Sequence, residues 1–325
     1  MASFDWFYPE SLFSGPDSAL LRHYEDAATA VGRLDSAASA SSRGLRDLAV
    51  LRCIATPTGA SRRILTGLLR PDGGERAMRS YSGAVRAGAS RARGGVVPSL
   101  DYLCELLGLP MQREPPAAQA AADAPIWGMP EVAAFMSDDR LRHSPPVLRA
   151  VMTAGVLLNS PVEGRINLAS LATSLVLCVG GAMTDVWLTL PLCSDEALGR
   201  GPKLKREVDG WLAHAFLALA NEARAAERAL GTARERVESD RARVKATFGR
   251  AAYSALDVLD LLTSELVITV PETSRTLRQT PPTTGAAIAR LTEIGIVEEI
   301  TGQSRSRAYI YGNLIDAFAS QGAAS

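Results

Sequence analysis

The residues best placed to do chemistry form a short polar run, Ser160-Pro161-Val162-Glu163-Gly164-Arg165, between two long apolar stretches. It offers a hydroxyl, a carboxylate and a guanidinium. A carboxylate can hold a metal ion or take a proton, and a guanidinium beside backbone amides can hold a phosphate. A serine becomes a nucleophile only with a base at hand. The histidines are His23, His143 and His214. His143 precedes a predicted helix of about fifteen residues, which puts it roughly 22 Å from Ser160 at the helical rise. His23 reads as a solvated or hydrogen-bonded residue on a helix, and His214 as a core histidine beside an apolar face. Near the C-terminus lies a second set, Arg275, Arg278, Arg290, Arg305 and Arg307 with Thr283 and Thr284, suited to phosphates and base edges.

A reactive loop must be held rigidly, and the sequences on either side supply the frame. Ser144 is placed to cap the first segment, with Pro145 and Pro146 where missing amide protons cost least. Leu148, Val151, Met152, Gly155 and Leu158 then share one helical stripe. Ile166–Val179 is apolar nearly all round, which predicts a helix wrapped by others.

Upstream, Leu20, Leu21, Tyr24, Ala27, Ala28, Val31 and Leu34 predict an amphipathic helix entered from Ser14-Gly15-Pro16-Asp17. A small-residue linker, Ser36–Gly44, leads to a helix over Leu45–Ala55, which the turn residues Thr56-Pro57-Thr58-Gly59 end. Ser61–Leu69, Ser99–Leu107 and Pro130–Ser137 are short helices. Pro71–Pro98, rich in Gly and Arg, reads as a solvated segment rather than a phosphate loop, because no strand precedes a helix-opening glycine motif. Pro110–Pro125 is a loose connector.

With 35 basic and 35 acidic residues among 325, no overall field draws the chain to nucleic acid or to an anionic membrane, so any such surface is local. Cys53, Cys104, Cys178 and Cys193 stand singly beside apolar segments and read as reduced thiols. The N-terminus has no basic region followed by an apolar run, so the expected location is the cytoplasm. Leu168–Met183 is the one membrane candidate. Gly180, Gly181 and Asp185 interrupt it, which favours a core helix.

Downstream, Lys203–Phe248 is helical, with Trp211, Leu212, Phe216 and Leu219 apolar early on. It then becomes charge-dense, with the sparse apolar residues Leu230, Val237 and Val244. That pattern suits a connecting or dimer-forming helix, with Gly231 a candidate kink. The C-terminal order is a helix (Ala252–Ser264), a β-branched run (Val267–Val270), a short helix (Pro271–Leu277), a turn (Arg278–Pro282), a helix (Thr283–Ile294) and two strands (Ile296–Ile300, Ala308–Tyr311). Asn313–Ala319 closes it. This order predicts a winged helix, whose third helix enters the major groove while the wing approaches the backbone. Between Pro271 and Tyr311 five arginines face four glutamates, so counterion release would contribute modestly.

Several of these landmarks together resemble the Fic/DOC family of bacterial proteins with an appended winged helix. They are the N-terminal YPESLF…ALLRHYEDAATAVGRLD, the apolar pair around residue 160, and LTEIGIVEEITGQSRSRAYIYGNLIDAF near the end. The family's active motif runs HPFxDGNGRxxR, and its members move AMP or a related group from a nucleotide to a protein hydroxyl. Against that motif Ser160 replaces the histidine base, Pro161 matches, Val162 replaces the phenylalanine, and Glu163-Gly164 stand for Asp-Gly. The Asn-Gly pair is absent and the loop is shorter; Arg165 matches the first arginine and Leu168 replaces the second. In the segment by which many members restrain themselves, Thr56–Ser61 is the counterpart, with Ala60 in place of the glutamate.

The resemblance therefore implies a mainly α fold, a helical Fic-like domain followed by a small α+β winged helix. Its segments are residues 1–125 (N-terminal helical region and linker), 126–200 (degenerate core), 201–250 (connecting or dimerising helices) and 251–325 (winged helix). The expected function is a catalytically inactive regulator, without metal or cofactor, that binds double-stranded DNA through Arg275, Arg278, Thr283, Thr284, Arg290, Arg305 and Arg307, with a homodimer through the connecting helices. One alternative is an AMP transferase with a remodelled loop, using ATP and Mg²⁺. The other is a protein-interaction scaffold that binds no DNA.

Overall fold

The computed structural model describes residue 8 and residues 18–55, 61–70, 99–107, 129–160, 165–184, 208–303 and 306–319. Their elements run α1 (Ala19–Ser39), α2 (Arg43–Ala55), α3 (Arg62–Leu69), α4 (Leu100–Leu107), α5 (Met129–Met136), α6 (Asp139–His143), α7 (Pro146–Leu158), α8 (Arg165–Val179), α9 (Val208–Phe248), α10 (Ala252–Leu262), β1 (Val267–Thr269), α11 (Val270–Leu277), α12 (Pro281–Glu293), β2 (Val297–Glu299), β3 (Ala308–Tyr311) and α13 (Gly312–Ala319). Among the described residues the chain is mainly helical with one small antiparallel sheet. It forms two compact units, one of Met1–Asp35 with Arg79–Arg224 and one of Ser36–Met78 with Ala225–Ser325. Residues 36–55 and 61–70 are thus grouped with the C-terminal strands rather than with the helices that precede them in the chain.

The first unit is built on α7 and α8. From Ala150 to Leu158 every residue of α7 is buried, and so is every residue of α8 from Leu168 to Leu177. The single stripe expected for α7 is thus only part of what it buries. Its partner on one side is the Trp211 indole, against which Gly155 lies so closely that an added Cβ would sit 2.6 Å from Cη2. Gly180, after α8, is pressed in the same way against Pro146. Tyr24 of α1 meets Phe216 of α9 edge to face, with ring centroids 5.7 Å apart. Buried hydroxyls on α8 return to their own helix, as Thr173 Oγ1 donating to Ala169 O at 2.8 Å does. Ser144 does not cap α7: the Ncap is Pro145, with no side-chain bond, and the Ser144 hydroxyl instead donates back to Arg140 O at 2.8 Å. Among the described residues no helix is long and apolar enough to cross a membrane.

In the second unit the sheet order is β1-β3-β2, with Val267 opposite Ile310 and Val297 opposite Tyr311. Strands this short hold together through the side chains they bury, here Ile268, Val297, Ile310 and Tyr311, each at most 3% exposed. Helices α10, α11 and α12 pack on one another, and α13 packs on α2 and α3. Arg62 of α3 pairs with Glu298 of β2 and, at 3.1 Å, with Asp316 of α13, above the buried Leu48 and Leu65. The predicted linker at Ser36–Gly44 is shorter than expected, since α1 continues to Ser39. Helix α9 runs across Gly231 without a break, and Leu230, Val237 and Val244 are buried within the single chain.

Candidate functional site

Two places carry the residues singled out from the sequence. At the first, α7 ends in Asn159 and Ser160, and both turn their side chains back into the helix. Asn159 Nδ2 donates to Gly155 O at 2.8 Å, and Ser160 Oγ donates to Leu157 O at 2.7 Å. Ser160 is 0% exposed, so its hydroxyl serves the helix end rather than solvent. Pro161, Val162, Glu163 and Gly164 lie outside the described residues, as do residues 56–60 and the Gly/Arg-rich segment. Arg165 opens α8 and is half-buried. A cation at a helix N-terminus opposes the macrodipole, by about 0.3–1 kcal/mol. His143 is exposed, its Nδ1 2.6 Å from Asp139 O, and His23 and His214 are half-buried on their helices. Among the described residues no cluster of His, Cys, Asp and Glu could hold a metal ion. Cys104 is a buried free thiol, pushed up in pKa by that burial and then by Asp101; Cys178 is half-buried and in no disulfide. Cys53 and Cys193 have side chains outside the described set.

The second place is the α11–α12 pair with the turn between β2 and β3. Thr269 caps α11 and closes a reciprocal box with Glu272: Glu272 N donates to Thr269 Oγ1, and the Thr269 hydroxyl donates to Glu272 Oε2 at 2.7 Å. That Thr-x-x-Glu signature was readable in the sequence. The helix stops at Arg278, whose φ of 53° is left-handed, and the chain turns into Thr280, the Ncap of α12. Helix α12 begins at Pro281, two residues before the predicted start. The reason is chemical: Pro281 and Pro282 suit the first helical positions, and Thr280 Oγ1 accepts from Thr283 N. Since neither proline has an N–H and Thr284 N donates to Thr280 O at 3.0 Å, this helix start has no spare amide for a phosphate. Any grip on a polyanion must come from side chains.

Those side chains divide clearly. Arg275, Arg278 and Arg307 are exposed, Arg290 is half-buried, and Thr283 is exposed. No ion pair involves Arg275, Arg278 or Arg290 among the described residues. Arg307 Nε donates to Gln303 O at 3.0 Å, which ties it to the turn; Arg305 lies outside the described residues. The turn is shaped by Glu299, whose carboxylate accepts from Thr301 N at 3.1 Å and Gly302 N at 2.8 Å, and from the Thr301 hydroxyl. The Thr301 hydroxyl bond is the main cause that lowers the Glu299 pKa, with the turn amides and Arg307 adding to it.

Thr284 must be corrected. It is 0% exposed, on the inner face of α12 with Ala287, Ile288 and Leu291, and cannot reach a base edge. Its Oγ1, like that of Thr273 on α11, is buried without a hydrogen-bond partner. An orphaned buried hydroxyl costs about 1–3 kcal/mol, and valine fills the same space without it. Thr284→Val is accordingly expected to raise stability by about 1 kcal/mol, read as a higher urea midpoint at unchanged slope.

Sequence reasoning missed the residues of α9 that hold this unit. Asp240 accepts from Tyr311 and Asn313, Arg241 pairs with Asp260 of α10, and Arg243 donates to Ile294 O at the end of α12. Three charges in a charge-dense helix gave no signal, because which of them is buried depends on what packs there. No family model matches the chain, and no curated protein matches it.

Proposed function

We propose that the chain is a DNA-binding regulator, a catalytically silent Fic/DOC-like helical unit joined to a winged helix. The observation that supports the reading is the order α10, β1, α11, α12, β2, β3 with strand order β1-β3-β2, which fits the order expected of a winged helix. In that fold α12 is the groove-entering helix and the β2–β3 turn is the wing. Exposed Arg275 and Arg278 then flank the helix and Arg307 rides on the wing, as phosphate contacts require.

Silence in the other unit is supported by Ser160, which stands in place of the family's histidine and gives its hydroxyl proton to Leu157 O. Among the described residues of that arrangement none offers a base to an incoming protein hydroxyl. Incubated with labelled ATP and Mg²⁺, the chain is expected to transfer no label to itself or to added protein. Stoichiometric label lost in Glu163→Ala would refute the silent half of the reading.

DNA binding is tested by mobility shift with random-sequence duplex at low salt. A shift is expected, and it should weaken steeply as salt rises. Arg275→Ala and Arg278→Ala should each weaken binding evenly across sequences and reduce the salt slope by about one. Absence of any shift at low salt would overturn the proposal.

A further inference from the structure

Helix α9 ends where Gly249 takes a left-handed φ of 52°, and one tight helical turn, Gly249–Ala251, leads into α10. Arg250 in that turn and Tyr253 at the start of α10 are three residues apart, which makes them neighbours on a helical surface. Both are exposed, Tyr253 by 75%. Large aromatic rings are normally packed against something. Among the described residues Tyr253 is the one large apolar side chain of the second unit left exposed, the other such residue, Leu217, belonging to the first. Within the described residues neither the Tyr253 phenol nor the Arg250 guanidinium has a hydrogen bond or an ion pair.

This pair lies beside the entrance to α12. Asp257 follows Tyr253 by one turn of α10, and its Oδ2 accepts from Gln279 Nε2 at 3.0 Å. Gln279 stands between Arg278, whose left-handed backbone turns the chain back to α10, and Thr280, the Ncap of α12. Arg250, Tyr253, the Asp257–Gln279 bond and Arg278 therefore form one row. Two exposed guanidiniums stand on it against one carboxylate, which already accepts from Gln279. A row of net positive charge with one ring and no apolar surround suits a polyanion better than an apolar protein partner.

We infer that Arg250 and Tyr253 form a further backbone contact for duplex DNA, gripping phosphates beside the groove that α12 enters. The arginine supplies charge, and the tyrosine phenol, a neutral donor, gives a hydrogen bond to a phosphate oxygen. The contact continues the row that Arg278 begins and fixes the register of the helix on the duplex without reading bases. The inference rests on the DNA-binding reading above, and its test separates the two.

The full chain and its Arg250→Ala, Tyr253→Phe and Tyr253→Ala variants are titrated with random-sequence duplex over a series of salt concentrations. Both side chains are exposed, so the urea midpoints of the variants should stay close to the wild type's. Arg250→Ala should weaken binding and reduce the salt slope by about one. Tyr253→Phe removes a single oxygen and no charge. It should weaken binding about tenfold, the worth of one hydrogen bond to a charged group, with the slope unchanged. Affinity and slope equal to the wild type's in Arg250→Ala and Tyr253→Phe would overturn the inference while leaving DNA binding intact. So would wild-type affinity in Tyr253→Phe with a loss in Tyr253→Ala, which would assign the ring and not the phenol. Self-association of the free chain that Tyr253→Ala abolishes would overturn it too, by assigning the ring to a second copy. Absence of binding by the wild-type chain would overturn both readings.

Discussion

Asp240→Ala is expected to destabilise the second unit by about 3 kcal/mol, by the loss of a buried acceptor that two groups share. Asp240 is 5% exposed, and its Oδ2 accepts from Tyr311 Oη at 2.8 Å and from Asn313 Nδ2 at 2.7 Å. Tyr311 is 2% exposed, so alanine would leave its phenol buried with nothing to donate to. Asp240→Asn keeps an acceptor oxygen and should lose about half as much. Tyr311→Phe removes the donor that Asp240→Ala orphans. The double variant should therefore fall short of the sum of the two single losses by about 1 kcal/mol or more in denaturant melts. A loss under about 0.5 kcal/mol for Asp240→Ala would refute this account of the anchor, being the range of an ordinary surface change.

The same contact predicts a pH dependence. Burial first, then the Asp240 bond and charge, push the Tyr311 phenol well above its usual pKa of 10.0. Below pH 10 the phenol is protonated in both the folded and unfolded chains, and its contribution is fully present. Above pH 10 the unfolded chain gives up that proton while the folded chain keeps it, so stability falls as pH rises. The contribution of this one residue is about 1.4 kcal/mol per pH unit at the steepest part. Tyr311→Phe should be distinctly less sensitive to alkali than the wild-type chain.

How much of this was legible can be argued residue by residue. Helix α4 and α3 were placed almost to the residue because Ser99 and Ser61 cap them locally, each accepting from an amide three positions on. Ser144 misled because a serine before two prolines satisfies the same rule whether it opens α7 or closes α6, and only the fold chooses. The order of helices and strands after residue 251 was readable because periodicity and glycine turns are local. That α2 and α3 complete this unit was not, since Arg62 finds Glu298 and Asp316 across more than two hundred residues of chain. The candidate sites show the same split. Residue types at 160 and 165 were visible, but the inward turn of the Ser160 hydroxyl follows from how α7 ends. Thr284 differs from Thr283 by one step of the helix, and that step decides which of them is exposed.

Gly155 is a position in the first unit where a single added methyl should do large damage, and the sign of its effect can be reversed. In a solvent-facing helix, glycine to alanine stabilises by up to about 1 kcal/mol through backbone entropy. Here the added methyl would meet Trp211 Cη2, Cζ3 and Cζ2 at 2.6, 3.0 and 3.1 Å. A planar ring that is 6% exposed cannot bend away as a flexible chain would, so α7 or the indole must shift. Gly155→Ala is therefore expected to cost about 2–3 kcal/mol, at the upper end for overpacking. Trp211→Leu withdraws those ring atoms and itself loses a few kcal/mol to the space left behind. In that background the alanine methyl occupies vacated volume and the helix gains its propensity, so Gly155→Ala should turn from destabilising to neutral or stabilising. Denaturant melts of the four chains read the coupling directly. Additive losses would mean that α7 is not held by the indole, and that the burial of Ser160 at its end has another cause.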